Sequence, residues 1–118
     1  MKFHKDLYVS PNIRHLAAIK WRLKHEAGNL ALYVIVPADN DPHSRAGENQ
    51  LEMMHCWNLQ QPWARKINWL IVGIAEGRAE GFELIRRMTQ DCYEARGDED
   101  LKAFLFPKEN THREGVQT

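Results

Sequence analysis

The run WLIVGIAEGRAEGFELIRRM, residues 69–88, constrains the fold of this chain more than any other part of its sequence. It begins as an apolar stretch of strand length, passes through a glycine-containing turn and continues with apolar residues at helical spacing. The pattern predicts a strand over residues 69–75 and a helix over residues 78–96, which Gly97 ends. The residues expected on the buried face of this helix are Ala79, Phe82, Leu84, Ile85, Met88, Cys92 and Tyr93.

A second helix is predicted near the start of the chain. Ser10 followed by Pro11 is a helix-start signal, because the serine oxygen accepts an amide hydrogen bond and proline has no amide hydrogen to leave unpaired. The helix is expected over residues 11–25, and Gly28 with Asn29 ends it. Its apolar face comprises Ile13, Leu16, Ala17, Ile19 and Leu23.

Two further strands are predicted in the middle of the chain. Residues 30–36, LALYVIV, are rich in β-branched and aromatic side chains and indicate a strand covered on both faces. Residues 51–58 alternate between the two sides of a pleated strand. A polar loop over residues 38–49 joins these strands, and residues 60–67 are expected to form a helical turn before the strand at residue 69.

The order of these elements predicts the α+β class. We expect a two-layer α/β sandwich with a mainly antiparallel sheet of three to five strands and two helices on one face. Short apolar pieces at residues 6–9 and 101–106 are candidates for edge strands or a last helical turn. The alternative is a ferredoxin-like arrangement in which residues 6–9 form a central strand. We expect residues 1–107 to form a single domain and the polar residues 108–118 to form a flexible tail.

Charge is balanced over the chain but unevenly distributed along it. Lysine and arginine total 16, as do aspartate and glutamate, so the formal net charge is zero. This removes the simplest argument for a nucleic-acid or membrane partner, since both attract chains with a net basic balance. Residues 1–25 nevertheless carry six basic side chains against one acidic, and residues 76–100 carry eight acidic side chains against four arginines.

Two features bear on the compartment. No apolar run approaches the roughly 18 residues that span a bilayer, which predicts no membrane insertion. The sequence MKFHKDLYVS has no apolar signal region, and Cys56 and Cys92 both lie in apolar-patterned segments. We therefore expect a cytoplasmic protein with reduced thiols.

No motif assembles a catalytic or metal-binding site. The glycines of GIAEGRAEG lack the spacing of the dinucleotide and P-loop motifs, and DNDPHSRAGENQLE lacks the glycine and glutamate of a calcium loop. His55 and Cys56 are neighbours on a predicted strand, so their side chains point to opposite faces and cannot act as a nucleophile with its base. The six histidines show no metal-ligand spacing. We predict that the protein is not an enzyme and holds no cofactor and no metal.

Two surfaces are candidates for binding. In QQPWARKINW, Trp63 stands beside Arg65 and Lys66 in a polar connection, and tryptophan and arginine are enriched at binding hot spots. The alternative is that Trp63 and Trp69 fold back to cap the core. The second surface is the basic face of the first helix, which comprises Arg14, Lys20, Trp21, Arg22 and Lys24.

The succession KDLYVS, LYVIV, QLEM, LIVGIAEG, FELI and YEARGDEDLKAFLF resembles short proteins of unknown function from anaerobic gut bacteria and their mobile genetic elements. The likeness covers most of the chain and contains no diagnostic catalytic motif. It implies one small domain and, since mobile elements often encode proteins that dock on an enzyme, an inhibitor or accessory role.

Three hypotheses of function follow. The leading one is a non-enzymatic protein-binding module, a small regulator or inhibitor, that uses either candidate surface. The alternative is a nucleic-acid accessory protein with the basic helix on phosphates and Trp63 stacked on bases. The third is a small-ligand or enzyme pocket near Glu52, His55 and Trp57. The basic helix could also complement the acidic helix of the same chain, within one molecule or across a homodimer.

Overall fold

The computed structural model describes residues 1–25, 31–40 and 50–107. The chain falls into two compact units, Met1–Ile85 and Arg86–Thr118, and helix α2 begins in the first and continues into the second. The predicted single domain stays a prediction, and residues 108–118 lie outside the described residues, as do Gly28 and Asn29. The helices and strands are β1 (Lys2–Val9), α1 (Leu16–His25), β2 (Tyr33–Pro37), β3 (Leu51–His55), β4 (Leu70–Ala75), α2 (Arg78–Arg96) and α3 (Leu101–Leu105).

The first unit is built on a four-stranded sheet with the order β1-β4-β2-β3. Strand β4 is antiparallel to β2, and β2 is antiparallel to β3, whereas β1 runs parallel to β4. The α+β class and the mainly antiparallel sheet are therefore confirmed, with one parallel pair at the edge. The alternative with residues 6–9 in a central strand is wrong, because β4 and β2 pair with each other and leave β1 only the outer edge of β4.

Strand β2 is buried on both faces, as its sequence predicts. Val34 belongs to the hydrophobic core cluster that includes Leu23 of α1 and Met54 of β3. A Cβ atom at Gly81, in the first turns of α2, would meet the side chain of Met53. Because successive strand residues point to opposite faces, Met54 and Met53 place the core cluster that contains Leu23 and the first turns of α2 on opposite faces of the sheet. This differs from the predicted placement of both helices on one face.

Helix α1 starts later than predicted because Ser10 has another role. Ser10 is buried, and its Oγ accepts a hydrogen bond from the backbone amide of Glu76 at 3.2 Å. Its carbonyl accepts from the amide of Ile13, which closes a turn. The helix follows His15, whose φ of 57° lies in the left-handed region. Ser10 thus connects the end of β1 to the β4–α2 turn instead of capping α1.

Strand β3 also ends earlier than its alternation predicts, at His55. The Nδ1 atom of His55 accepts a hydrogen bond from the amide of Trp57 at 3.0 Å and caps a 3₁₀ turn over Cys56–Gln60. A second 3₁₀ turn, Ala64–Lys66, follows, so the helical turn predicted over residues 60–67 is present in shorter form. Trp57 leaves the sheet and is 58% exposed.

Helix α2 has the predicted limits, and Gly97 ends it with a φ of 79°. Its buried stripe comprises Gly81, Leu84, Met88 and Cys92, at spacings of three and four residues. Ala79, Phe82 and Tyr93 were expected on the buried face but are exposed. The stripe runs through Gly81, whose missing side chain allows close approach to Met53, and Phe82 lies about 100° away around the helix.

Over the described ranges, no helix is long and apolar enough to span a bilayer.

Candidate functional site

The segment between β3 and β4 is organised around Trp69. This side chain is buried, and its Nε1 donates a hydrogen bond to the carbonyl of Ala64 at 2.9 Å. The ring of Trp63 packs edge-on against it, with centroids 6.3 Å apart, and remains 38% exposed. Trp69 therefore caps the core. Trp63 combines the two predicted roles of core cap and exposed binding residue, since one part of its ring packs against Trp69 and another part faces solvent.

A cleft of about 120 Å³ lies between α1 and this segment. It unites the two surfaces that the sequence predicts separately, because α1 contributes Arg22 and Lys24 and the connecting segment contributes Arg65. We call it the cationic cleft. Its remaining lining residues are Met1, Leu23, Cys56, Leu59, Gln60, Ala64, Ile67 and Trp69.

The cationic cleft has basic side chains above an apolar floor. Among the described residues, no aspartate or glutamate lines it. The Nε atom of Arg65 donates to the carbonyl of Gln60 at 3.1 Å, which restrains the guanidinium beside the cleft. The Nζ atom of Lys24 lies 5.9 Å from the ring centroid of Phe3, so the ring of β1 supports this ammonium. The arrangement suits an anionic group that carries an apolar side chain.

The other predicted binding residues, Trp63 among them, do not line the cleft. Arg14 precedes Leu16, the first residue of α1, so its predicted place on the helix is wrong. Lys20 lies over the ring of Phe3 at 5.4 Å, and Lys66 is exposed. Trp21 is 56% exposed and stacks on His25 with ring centroids 4.3 Å apart.

The second unit carries an acidic surface that the sequence analysis did not identify as a binding site. Tyr93 was predicted to be buried, yet it is 60% exposed and lines an open depression with Glu94 and Glu99. We call this the acidic depression. Its other lining residues are Arg86, Thr89 and Gln90. The excess of acidic residues was visible in the sequence, but the exposure of Tyr93 depends on which helical face is buried.

A further aromatic group in the first unit was also missed. The guanidinium of Arg78 lies 5.9 Å from the ring centroid of Tyr33 and 5.6 Å from that of Phe82. The ring of Tyr33 meets His55 edge-on, with centroids 5.2 Å apart. Because β2 and β3 pair Tyr33 with His55, the sheet register creates this arrangement. No local sequence signal brings Tyr33 next to Arg78.

The described residues offer little catalytic chemistry near the cationic cleft. Cys56 lines the cleft and forms no disulfide, and burial raises the pKa of its thiol, which disfavours the nucleophilic thiolate. Nδ1 of His55 is engaged with the amide of Trp57. Across residues 1–25, 31–40 and 50–107, no group of three or more histidine, cysteine, aspartate or glutamate side chains is placed to hold a metal ion.

Comparison with family models found no match, and neither the curated proteins nor the solved structures gave one. The resemblance to short proteins of gut bacteria and mobile elements therefore stays a prediction.

Proposed function

We propose that this chain is a non-enzymatic protein-binding module whose cationic cleft receives an acidic segment of a partner. The observation that carries the proposal is the convergence of Arg22, Lys24 and Arg65 around one apolar floor. A module of this kind acts as a small regulator or inhibitor by occupying a surface of its partner. The proposal extends to a cytoplasmic location, which is favoured by two cysteines that form no disulfide.

The expected affinity follows from what the cleft contains. One buried apolar side chain contributes roughly 1.5–3 kcal/mol. Each exposed ion pair with Lys24 or Arg65 adds roughly 0.2–1 kcal/mol. Trp63 does not line the cleft, but it packs against Trp69, which does, so a bound segment that also covers Trp63 would gain about 2 kcal/mol or more from a contact of hot-spot quality. These contributions fall short of the roughly 8 kcal/mol of a micromolar complex, so binding through the cleft alone is weak and reversible.

Nucleic acid is the second candidate, because Trp21 and Trp63 are exposed on the same stretches of chain that carry the cations. Exposed aromatic rings beside basic side chains stack on unpaired bases while the cations hold phosphates. The apolar floor, which includes Leu23, Leu59 and Trp69, also accepts an aliphatic side chain, a group that nucleic acid lacks. The structure therefore favours a protein ligand.

The test measures binding of three fluorescent probes by anisotropy. The probes are a peptide with one tyrosine among glutamates, the same peptide with glutamine for glutamate, and an oligothymidylate of about 20 nucleotides. We expect the acidic peptide to bind most tightly, R65A to weaken its binding by up to about fivefold, and W63A to weaken it about fivefold or more if the peptide covers Trp63. The control variant W57A removes an exposed tryptophan that, unlike Trp63, has no ring contact with the cleft residue Trp69, and it should leave binding unchanged.

Equal binding of the two peptides, or no effect of R65A in a folded variant, would overturn the proposal. Tighter binding of the oligothymidylate, with a steep loss on adding salt, would establish the nucleic-acid alternative instead. Affinity capture from native lysate, with and without nuclease, then identifies the natural partner.

A further inference from the structure

We infer that the acidic ligand of the cationic cleft is a second copy of this chain, which presents its acidic depression. The inference rests on the proposed function, since it names the partner of the same cleft. It joins two surfaces that lie in different units of the chain and that have opposite charge.

The acidic depression has the composition that the cleft needs. Residues 91–100 contain five acidic side chains and one arginine. That arginine, Arg96, is in an ion pair with Asp98 at 3.0 Å, so these two charges offset each other and the stretch keeps a net negative charge. The Nε2 atom of Gln90 donates to Glu94 at 3.3 Å, which restrains this carboxylate at the edge of the depression. Arg86 also lines the depression, and its Nη1 donates to Gln90.

Tyr93 supplies the apolar part of the ligand. Its ring is 60% exposed beside Glu94, whereas an aromatic residue at a helix surface normally buries much of its area. Tyrosine is also one of the residues most enriched at binding hot spots. The ring of Tyr93 from one copy would lie on the apolar floor of the other, with Glu94 and Glu99 next to the basic rim.

The charge distribution of the chain is compatible with contact between two copies. The chain has no net charge, so two copies do not repel each other over long distances. Its basic and acidic side chains are segregated, with six basic against one acidic in residues 1–25. A contact between two different surfaces is heterologous, and it forms a closed dimer only when each copy uses both surfaces.

The first experiment is sedimentation velocity of the full chain from about 10 μM to about 1 mM at low salt, the range in which weak interfaces associate. We expect a concentration-dependent increase in mass. Raising the salt concentration to about 0.5 M should weaken the association about tenfold, because exposed charge pairs are screened. A monomer at every concentration would overturn the inference.

The second experiment exchanges the charges. We expect K24E/R65E and E94K/E99K each to lose self-association at least about tenfold, and an equimolar mixture of the two to recover a heterodimer. The variant K2E/K5E makes the same change in net charge at exposed side chains of β1 that do not line the cleft. It should associate like the wild type.

Failure of the mixture to recover association, with both variants folded, would overturn the pairing. So would equal losses in K2E/K5E and K24E/R65E, because the effect would then depend on total charge. A chain that stays monomeric but binds the acidic peptide through Arg65 would overturn this inference and leave the proposed function standing. A chain that binds no acidic peptide and does not self-associate would overturn the proposed function as well.

Discussion

Replacing Trp69 with phenylalanine tests the claim that this side chain holds the segment carrying Trp63 and Arg65. Trp69 is 2% exposed, so the substitution leaves unfilled space where the larger indole was. Such a loss of buried volume costs about 1–2 kcal/mol. The carbonyl of Ala64 loses the indole donor but keeps the amide of Ile67 at 3.1 Å, so the lost hydrogen bond costs about 0.5–1.5 kcal/mol.

Loss of the ring contact with Trp63 adds a smaller contribution to the destabilisation of W69F. Edge-to-face aromatic pairs contribute about 0.5–1.5 kcal/mol, and the smaller phenyl ring retains part of it. We therefore expect the free energy of unfolding to fall by about 2–4 kcal/mol in W69F. Because Ala64 and Trp69 both line the cationic cleft, peptide binding should weaken in the same variant.

The assay is urea denaturation followed by far-ultraviolet circular dichroism, since the three remaining tryptophans complicate fluorescence. The midpoint should fall while the slope stays constant. The matched control is W57F, which changes a tryptophan that is 58% exposed and should alter stability by less than about 0.5 kcal/mol. Equal midpoints for W69F and W57F would refute the assigned role of Trp69.

Two further predictions concern the helix end and the thiols. The variant G97A should lose about 1 kcal/mol of unfolding free energy in the same assay, because Gly97 has a φ of 79°, which strains an alanine backbone. An added Cβ would meet no atom within 4 Å, so no steric clash adds to this loss. An unchanged midpoint would contradict this. Burial raises the pKa of Cys56 and Cys92 above the ordinary value of 9.0, so the folded state retains these protons longer than the unfolded state. Stability should fall as the pH rises above about 9. A thiol reagent at pH 8 should label Cys92, which does not line the cleft, only as fast as the chain opens; rapid labelling of Cys92 in the folded protein would contradict this.

The elements with strong local signals were predictable. Helix α2 has the limits that its periodicity and Gly97 predict, because the glycine supplies a left-handed backbone where a helix ends. The start of α1 was not predictable, because the hydroxyl of Ser10 accepts a hydrogen bond from the amide of Glu76, 66 residues away in the chain, and does not cap α1. The end of β3 was also missed, because the side chain of His55 caps a turn that alternation does not encode.

The candidate site was also predictable only in part. Residue types in the sequence identified Trp63, Arg65 and the basic residues of the first helix as two separate surfaces. Only the tertiary structure brings Arg22 and Lys24 beside Arg65, because the packing of α1 decides which of its basic side chains meet the segment between β3 and β4. It also leaves Arg14 outside the helix.

The sequence by itself determined the α+β class, the limits of α2 and the segregation of charge, because each depends on neighbouring residues or on composition. The tertiary structure alone decided the parallel pairing of β1 with β4, the buried stripe of α2 and the single cationic cleft. These depend on contacts between residues far apart in the chain. Such contacts are chosen by the packing of the whole core, in which Gly81 admits Met53 and Phe82 is left exposed.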